Sequence, residues 1–350
     1  MKEAVLYKNL GDKQVMCLAC ARRCRLKDGQ LGLCGVRKNI DGKLYLLVYG
    51  KAYAVNVDPI EKKPLYHFYP GSWVLSFGTT GCNWLCAYCC NYHMSQRKRI
   101  EGVDIPPENM VFLAIRYNSD GIAYTYNEPT IFMEYAHDIG VLAKKRNLFN
   151  VFVTNGFMTE ESVNYLAEFL DAATVDVKGN ANPRFLGRYA GVPDTQPIFD
   201  TILMLRDKGI HIEITDLIVP EIGDNLEDAK KLIRWVYDNL GPEVPIHFIR
   251  FFPQYRLSHL PPTPIKTLEK HYRLAKELGM KYVYLGNTPG HAYDNTYCPE
   301  CGKLLIRRYG FQILEWNLEK GRCKFCGAKI SVVYKNDKAW KKSGNFWFIY

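Results

Sequence analysis

Residues 78–94 read GTTGCNWLCAYCCNYHM and place Cys82, Cys86, Cys89 and Cys90 within nine positions. The stretch follows SWVLSFG at 72–78, a β-rich run without a charge. Similar runs recur downstream: GIAYTY, NVFVTN, AATVDVK, HIEITDLIV, PIHFIRFF and YVYLGN. Runs so poor in charge are those of strands covered by helices on both faces. Amphipathic stretches separate them. After Tyr126, Pro129 suits a first helical turn, and Ile131, Tyr135, Ile139 and Leu142 recur on one face. The alternation predicts an α/β fold on a parallel sheet, open or curled into a barrel. Sites in such sheets gather at the carboxyl ends of the strands, and the cysteine trio falls directly after the first one.

At 350 residues the chain can bury a full core and carry smaller modules beside one large domain. The longest apolar runs, such as LLVY at 46–49, are far too short to cross a membrane. The N-terminal MKEAVLYKNLGDK lacks the apolar stretch of a secretion signal, so a soluble, cytoplasmic protein with no membrane partner is expected. A net charge of +10 raises the question of nucleic acid. Metal-bound thiolates would cancel about half of that excess, which argues against such a partner.

The 12 cysteines fall almost wholly into groups: Cys17, Cys20, Cys24 and Cys34; the four at 82–90; and Cys298, Cys301, Cys323 and Cys326. CxxC pairs in an intracellular chain bind metal or do redox work rather than build a disulfide framework. In the middle group, three thiolates on a tight loop would leave one iron of a cubane cluster open, unlike closed four-cysteine ligation. Zinc competes for the same loop but needs a fourth ligand, which Cys90 or His93 can supply. A closed knuckle of Cys82, Cys86, Cys89 and Cys90 is awkward, because adjacent side chains diverge.

Cys82-Asn-Trp-Leu-Cys86-Ala-Tyr-Cys89, with aromatic Tyr88 before the last cysteine, resembles the motif of radical S-adenosylmethionine (SAM) enzymes. YTYNEPT at 124–130 resembles their Gly-Glu motif, with Glu128 in its acidic position. VTNGF at 153–157, VDVKG at 175–179 and IVPEIGDN at 218–225 resemble later-strand motifs of the pyruvate formate-lyase activating enzymes. The flanks narrow the likeness. The leading CxxCx3Cx9C, RFFPQY with PPTP, and GNTPGHAYDNTYCPECG resemble the radical SAM protein of the AmmeMemoRadiSam system.

The resemblance implies a partial (β/α)6 radical SAM barrel over residues 72–290 and a [4Fe–4S] cluster on Cys82, Cys86 and Cys89. The open iron would chelate SAM, and one electron would cleave SAM to methionine and a 5′-deoxyadenosyl radical. That radical would take hydrogen from an unidentified substrate. Glu128 would hold the SAM ammonium, Lys178 its carboxylate and Asp176 its ribose, with Tyr88 against adenine and Thr154 and Asn155 as further contacts. Each has a plainer counterpart, since a strand-end Asp or Lys is often merely solvated and Tyr88 alone reads as core; order and strand-end placement raise them. Implied partners are an electron donor such as a ferredoxin or flavodoxin, and Memo-type and AMMECR-type proteins. Activation of a glycyl-radical enzyme is a narrower version. Two positions depart from the patterns: Val153 replaces the acid of activating enzymes, and Cys90 stands where AmmeMemoRadiSam relatives carry Gln. Cys90 is expected as a packed, buried thiol.

CPECG at 298–302 and CKFCG at 323–327 predict a closed tetrahedral zinc site in a zinc-ribbon-like module, residues 291–334. A docking platform and rubredoxin-like iron are the other readings. Cys17, Cys20, Cys24 and Cys34, in a Cys-rich cap over residues 1–71, suit zinc or a second iron–sulfur cluster. A basic aromatic tail, residues 335–350, carries Trp340, Phe346, Trp347, Phe348 and Tyr350 and either docks a partner, covers the barrel mouth or folds back on the body. Two alternatives stand beside the main reading: a radical SAM RNA-modifying enzyme, and a non-catalytic zinc-stapled binding protein.

Overall fold

The computed structural model describes residues 1–96, 99–334 and 347–349. Its centre is a run of strands and helices: β1 (Trp73–Gly78), α1 (Pro107–Arg116), β2 (Gly121–Tyr124), α2 (Met133–Lys144), β3 (Phe149–Thr154), α3 (Glu160–Leu166) and β4 (Ala172–Asp176). It continues with α4 (Pro183–Ala190), α5 (Gln196–Asp207), β5 (His211–Ile218), α6 (Leu226–Leu240), β6 (Ile246–Arg250), α7 (Ile265–Glu277) and β7 (Val283–Gly286). Each strand pairs in parallel with its neighbour in sequence, so six strand–helix repeats are followed by a seventh strand. Every residue of β1 and β2 is buried, as the charge-free runs require. Helix starts are capped from the sequence: Thr159 accepts from Ser162 N, Asn182 from Phe185 N, and Asn225 from Glu227 N and Asp228 N.

The main sheet extends beyond β1. Ala54–Pro59 lies antiparallel to β1, and Trp347–Phe348 lies antiparallel to Ala54–Pro59 at the edge. This part of the tail therefore folds back on the body, with Phe348 exposed. Trp340, Phe346 and Tyr350 lie outside the described residues.

Cys17 ends the strand Gln14–Cys17 of a short antiparallel sheet that packs against the barrel, and Cys20, Cys24 and Cys34 lie in the segments beside it. The tie is a buried ion pair: Arg37 donates to both oxygens of Glu134 on α2 and, through Nε, to Ile131 O at 2.9 Å. Cys20 bridges to Met158 in the loop after β3. At the other end of the chain, Thr296–Tyr297, Leu304–Tyr309 and Gln312–Trp316 form a three-stranded antiparallel sheet. Buried Arg308 anchors it, its guanidinium 4.1 Å over the ring of Tyr66 and donating to Thr296 Oγ1 at 2.8 Å. Among the described residues, no helix is long and apolar enough to cross a membrane.

Candidate active site

The loop after β1 owes its path to close backbone contacts. A Cβ at Gly78 would lie 2.5 Å from Thr125 O, and Gly81, at φ +90°, would meet Cys34 O at 2.3 Å. Only glycine allows both approaches. Asn127 then staples the loop, accepting from Thr79 N at 3.1 Å and donating to Gly81 O at 2.8 Å. Leu85 N and Ala87 N pin the far side to Ala190 O and Tyr189 O, at 2.8 and 2.7 Å. Cys86 is buried, and Cys82 and Cys89 are half-buried. Cys89 Sγ lies 3.0 Å from Ser95 Oγ. Burial pushes the Cys86 thiol up to about 12, so ionising it calls for a cation against the sulfur.

Cys82, Cys86, Cys89, Tyr88, Glu128, Thr154, Asn155, Asp176 and Lys178 all line one cavity of about 630 Å³. That size falls in the range of about 300–1,000 Å³ usual for small-molecule sites. Buried Glu128 begins the helical turn Pro129–Phe132. Its Oε1 accepts from Thr130 N at 3.2 Å, Thr130 Oγ1 at 2.5 Å and Thr154 Oγ1 at 2.7 Å, and its Oε2 from Asn155 N at 2.7 Å. Oε2 accepts a single bond and has room for a further donor. Burial raises the Glu128 pKa, against the lowering effect of these donors. At the end of β4, Asp176 accepts from Lys178 Nζ at 2.9 Å and from Thr215 Oγ1 at 2.6 Å. Burial works against the Lys178 charge, but Asp176 beside it lifts the pKa above its ordinary value. Tyr88 stacks on Phe185 with ring centroids 5.5 Å apart. Trp84 Nε1 and Thr174 Oγ1, buried in the same wall, have no hydrogen-bond partner.

Two expectations are corrected. His93 is exposed, with its ring beside those of Tyr53 and Tyr92, and does not line the cavity. Cys90 is not packed away: it is exposed on the cavity wall, because neighbouring side chains diverge and Cys89 takes the inward direction. Val153 lines the cavity where activating enzymes carry an acid. Several lining residues were not singled out in the sequence: Glu61, Lys62, Lys63 and Tyr66 before β1, and His247 and Arg250 on β6. The signal for the first four is IEKKPLYH, a charge run that also fits a solvated turn. Glu61 Oε1 accepts from Gly71 N at 2.8 Å, its Oε2 has no partner, and burial pushes its pKa up to about 7. Lys63 pairs with Asp58 at 2.7 Å, and burial brings it down to about 8.

The other cysteine groups differ in geometry. Cys298, Cys301, Cys323 and Cys326 have their sulfurs all within 4.8 Å of one another, a set that can hold one metal ion. Among the described residues they are the one such group of three or more. Cys298–Cys326 and Cys301–Cys323 are each 3.7 Å apart, sulfur to sulfur. Cys17, Cys20, Cys24 and Cys34 surround a separate void of about 20 Å³, shared with Arg22 and Asn83.

The family model described as the radical SAM superfamily matches residues 77–236. Those residues, somewhat less than half of the chain, form a radical SAM domain. The chain is a radical SAM enzyme, which sets aside the non-catalytic reading, and the domain implies an iron–sulfur cluster, SAM, a substrate and an electron donor. A second model, the bacterial peptidase A24 N-terminal domain, matches residues 272–337, which hold the four C-terminal cysteines. The chain shares a family with the uncharacterized protein MJ0808 of Methanocaldococcus jannaschii, 46% identical over 337 residues that cover 95% of this chain and 100% of the relative. A domain of the pyruvate-formate lyase-activating enzyme from Bacteroides vulgatus covers 48% of this chain and 100% of its own, at 13% identity and TM-score 0.42. A radical SAM methyltransferase from Sphaerobacter thermophilus covers 68% and 71%, at 16% identity and TM-score 0.49. Neither likeness carries an argument about substrate.

Proposed function

We propose that Cys82, Cys86 and Cys89 hold a [4Fe–4S] cluster with one open iron, and that SAM binds in the adjoining cavity for radical hydrogen abstraction from a substrate. One observation carries this: nine residues from separate stretches of sequence converge on one cavity beyond the strand ends. A second observation supports it: the unpartnered Trp84 Nε1 and Thr174 Oγ1 offer polar contacts to a ligand.

The residues divide the work. The open acceptor site on Glu128 Oε2 takes the SAM ammonium, while Thr154 and Asn155 fix the carboxylate's orientation. Lys178, aligned by Asp176, meets the SAM carboxylate, and Asp176 keeps acceptor capacity for ribose hydroxyls. Tyr88, backed by Phe185, offers its ring to adenine. When bound and reduced, the cluster supplies the electron that splits SAM into methionine and a 5′-deoxyadenosyl radical. Glu61, Lys63, His247 and Arg250 form the remaining wall and face the substrate. We further assign zinc to the C-terminal four cysteines, because a tetrahedron with bonds of about 2.3 Å has edges of about 3.8 Å. A ferredoxin or flavodoxin fits as donor. The flanking motifs favour the AmmeMemoRadiSam branch, which would make Memo-type and AMMECR-type proteins its partners. Nothing in the cavity favours RNA.

The test is anaerobic reconstitution, reduction with dithionite, addition of SAM and detection of 5′-deoxyadenosine by mass spectrometry. Its formation by the wild type and its loss in Cys86→Ala are expected. A trio that holds only zinc after reconstitution would sink the proposal.

A further inference from the structure

We propose that the outer face of the trio's loop is the docking surface for the electron donor, and that it fits a small acidic redox protein of the ferredoxin or flavodoxin type. The proposal rests on the trio holding a cluster. The loop has two faces. Cys82, Cys86 and Cys89 line the cavity, whereas Leu85 between them does not and is 47% exposed. A protein seated on Leu85 therefore has one layer of chain between itself and the cysteines.

Three arginines flank that face. Leu85 N donates to Ala190 O and Ala87 N to Tyr189 O, while Arg256 N donates to Ala87 O at 3.0 Å. Arg188 and Arg256 are held beside the loop by these bonds, with their guanidinium groups 5.4 and 5.2 Å from the rings of Tyr189 and Tyr255. Arg184 stands one turn before Arg188 on the same side of α4. All three are exposed, none lines the cavity, and none has a carboxylate partner among the described residues. By contrast, Arg23, Arg206, Arg273 and Arg307 each pair with a carboxylate. A ring beneath a guanidinium positions it without neutralising it.

The segments that build the face, residues 84–93, 183–193 and 254–257, contain no acid at all. Their apolar centre is Leu85 with Tyr92, which is 42% exposed and stacks on Tyr255 at 4.6 Å. An apolar centre with an unpaired cationic rim complements a partner whose own rim is acidic, and opposite charge speeds the encounter. Location makes that partner a one-electron carrier. The donor loses one electron, the trio's cluster goes from 2+ to 1+, and no bond or proton changes hands.

The anaerobically reconstituted full chain is titrated by calorimetry with an acidic ferredoxin and an acidic flavodoxin. Arg184→Glu, Arg188→Glu and Arg256→Glu together should weaken binding by about tenfold or more at about 0.05 M salt, and the gap should close near 0.5 M. Lysine at all three positions should keep most of the affinity. In the glutamate variant the KM for reduced ferredoxin should rise, while SAM cleavage driven by dithionite stays at the wild-type rate. Amide exchange of the wild type should slow at residues 84–93 and 183–191 when the donor binds. Binding by the glutamate variant within about twofold of the wild type would overturn the proposal. So would a wild type that binds neither donor, binds them indifferently to salt, or is protected elsewhere, whether or not the variants fold. Polyuridylate held on the same residues against both donors would assign the patch to nucleic acid and overturn it too. A wild type that forms no 5′-deoxyadenosine with dithionite would fail the reading of the trio instead, and the exchange footprint would still decide where the donor docks.

Discussion

Replacing Arg37 with Met removes the cation that docks the N-terminal cap on α2. Side-chain exposure of Arg37 and Glu134 is 2% and 0%, so neither charge has water to fall back on. Glu134 would keep only the amides of Val5, at 3.1 Å, and Leu6, at 3.4 Å. Breaking one partner of a buried pair typically costs about 3–5 kcal/mol, mostly from the stranded charge. Arg37→Met with Glu134→Leu should recover most of that loss, because an apolar pair strands nothing. The direction with pH follows from the carboxyl. Burial works to raise the Glu134 pKa, but Arg37 outweighs it and holds the group below its ordinary value. The Glu134 contribution in the wild type is therefore present above the unfolded pKa and lost as pH falls through the lowered one. Without Arg37, burial outweighs the remaining amides and the pKa lies above the ordinary value, so the variant gains stability as pH falls toward the unfolded pKa. The deficit should be largest near pH 8 and shrink toward pH 5, read as urea midpoints on anaerobic, metal-loaded protein. A deficit under about 1 kcal/mol at pH 8, or one that does not change with pH, would refute the reasoning.

Lys178→Met should weaken SAM binding by about 10- to 150-fold, the worth of one charge-assisted hydrogen bond of about 1.5–3 kcal/mol. Calorimetric titration giving a Kd within about twofold of the wild type would remove Lys178 from the SAM site. Glu61, raised to about 7 by burial, contributes stability that is present below its unfolded pKa and lost as pH rises through about 7. Glu61→Gln should flatten that fall, so the stability difference between wild type and variant shifts by about 3 kcal/mol between pH 4.5 and pH 8. Parallel curves across that range would show that Glu61 does not titrate there.

The parallel sheet was legible because burial on both faces leaves runs such as SWVLSFG without charge. That the trio converges on one cavity was legible because its spacing on one loop is local. What escaped depended on distant pairing. Ala54–Pro59 extends the sheet through its register with β1, which no local pattern announces. The charges of IEKKPLYH fit a solvated turn, yet Glu61 and Lys63 are buried, Lys63 against the counter-charge of Asp58.

The strand Ala54–Pro59 also explains why the far wall of the cavity carries charge at all. Asp58, 1% exposed, accepts from Lys62 Nζ at 2.8 Å, from Lys63 Nζ at 2.7 Å and from Tyr126 OH at 2.7 Å. A buried carboxylate with two ammonium partners and a hydroxyl keeps its charge, and its pKa is lowered although burial pushes the other way. Tyr126 also accepts from Asn56 Nδ2 at 2.9 Å and stands two residues before Glu128. One strand therefore sets both the lysines of that wall and the start of the loop that presents Glu128. The two are linked through Asp58, and Asp58→Asn should disturb both together.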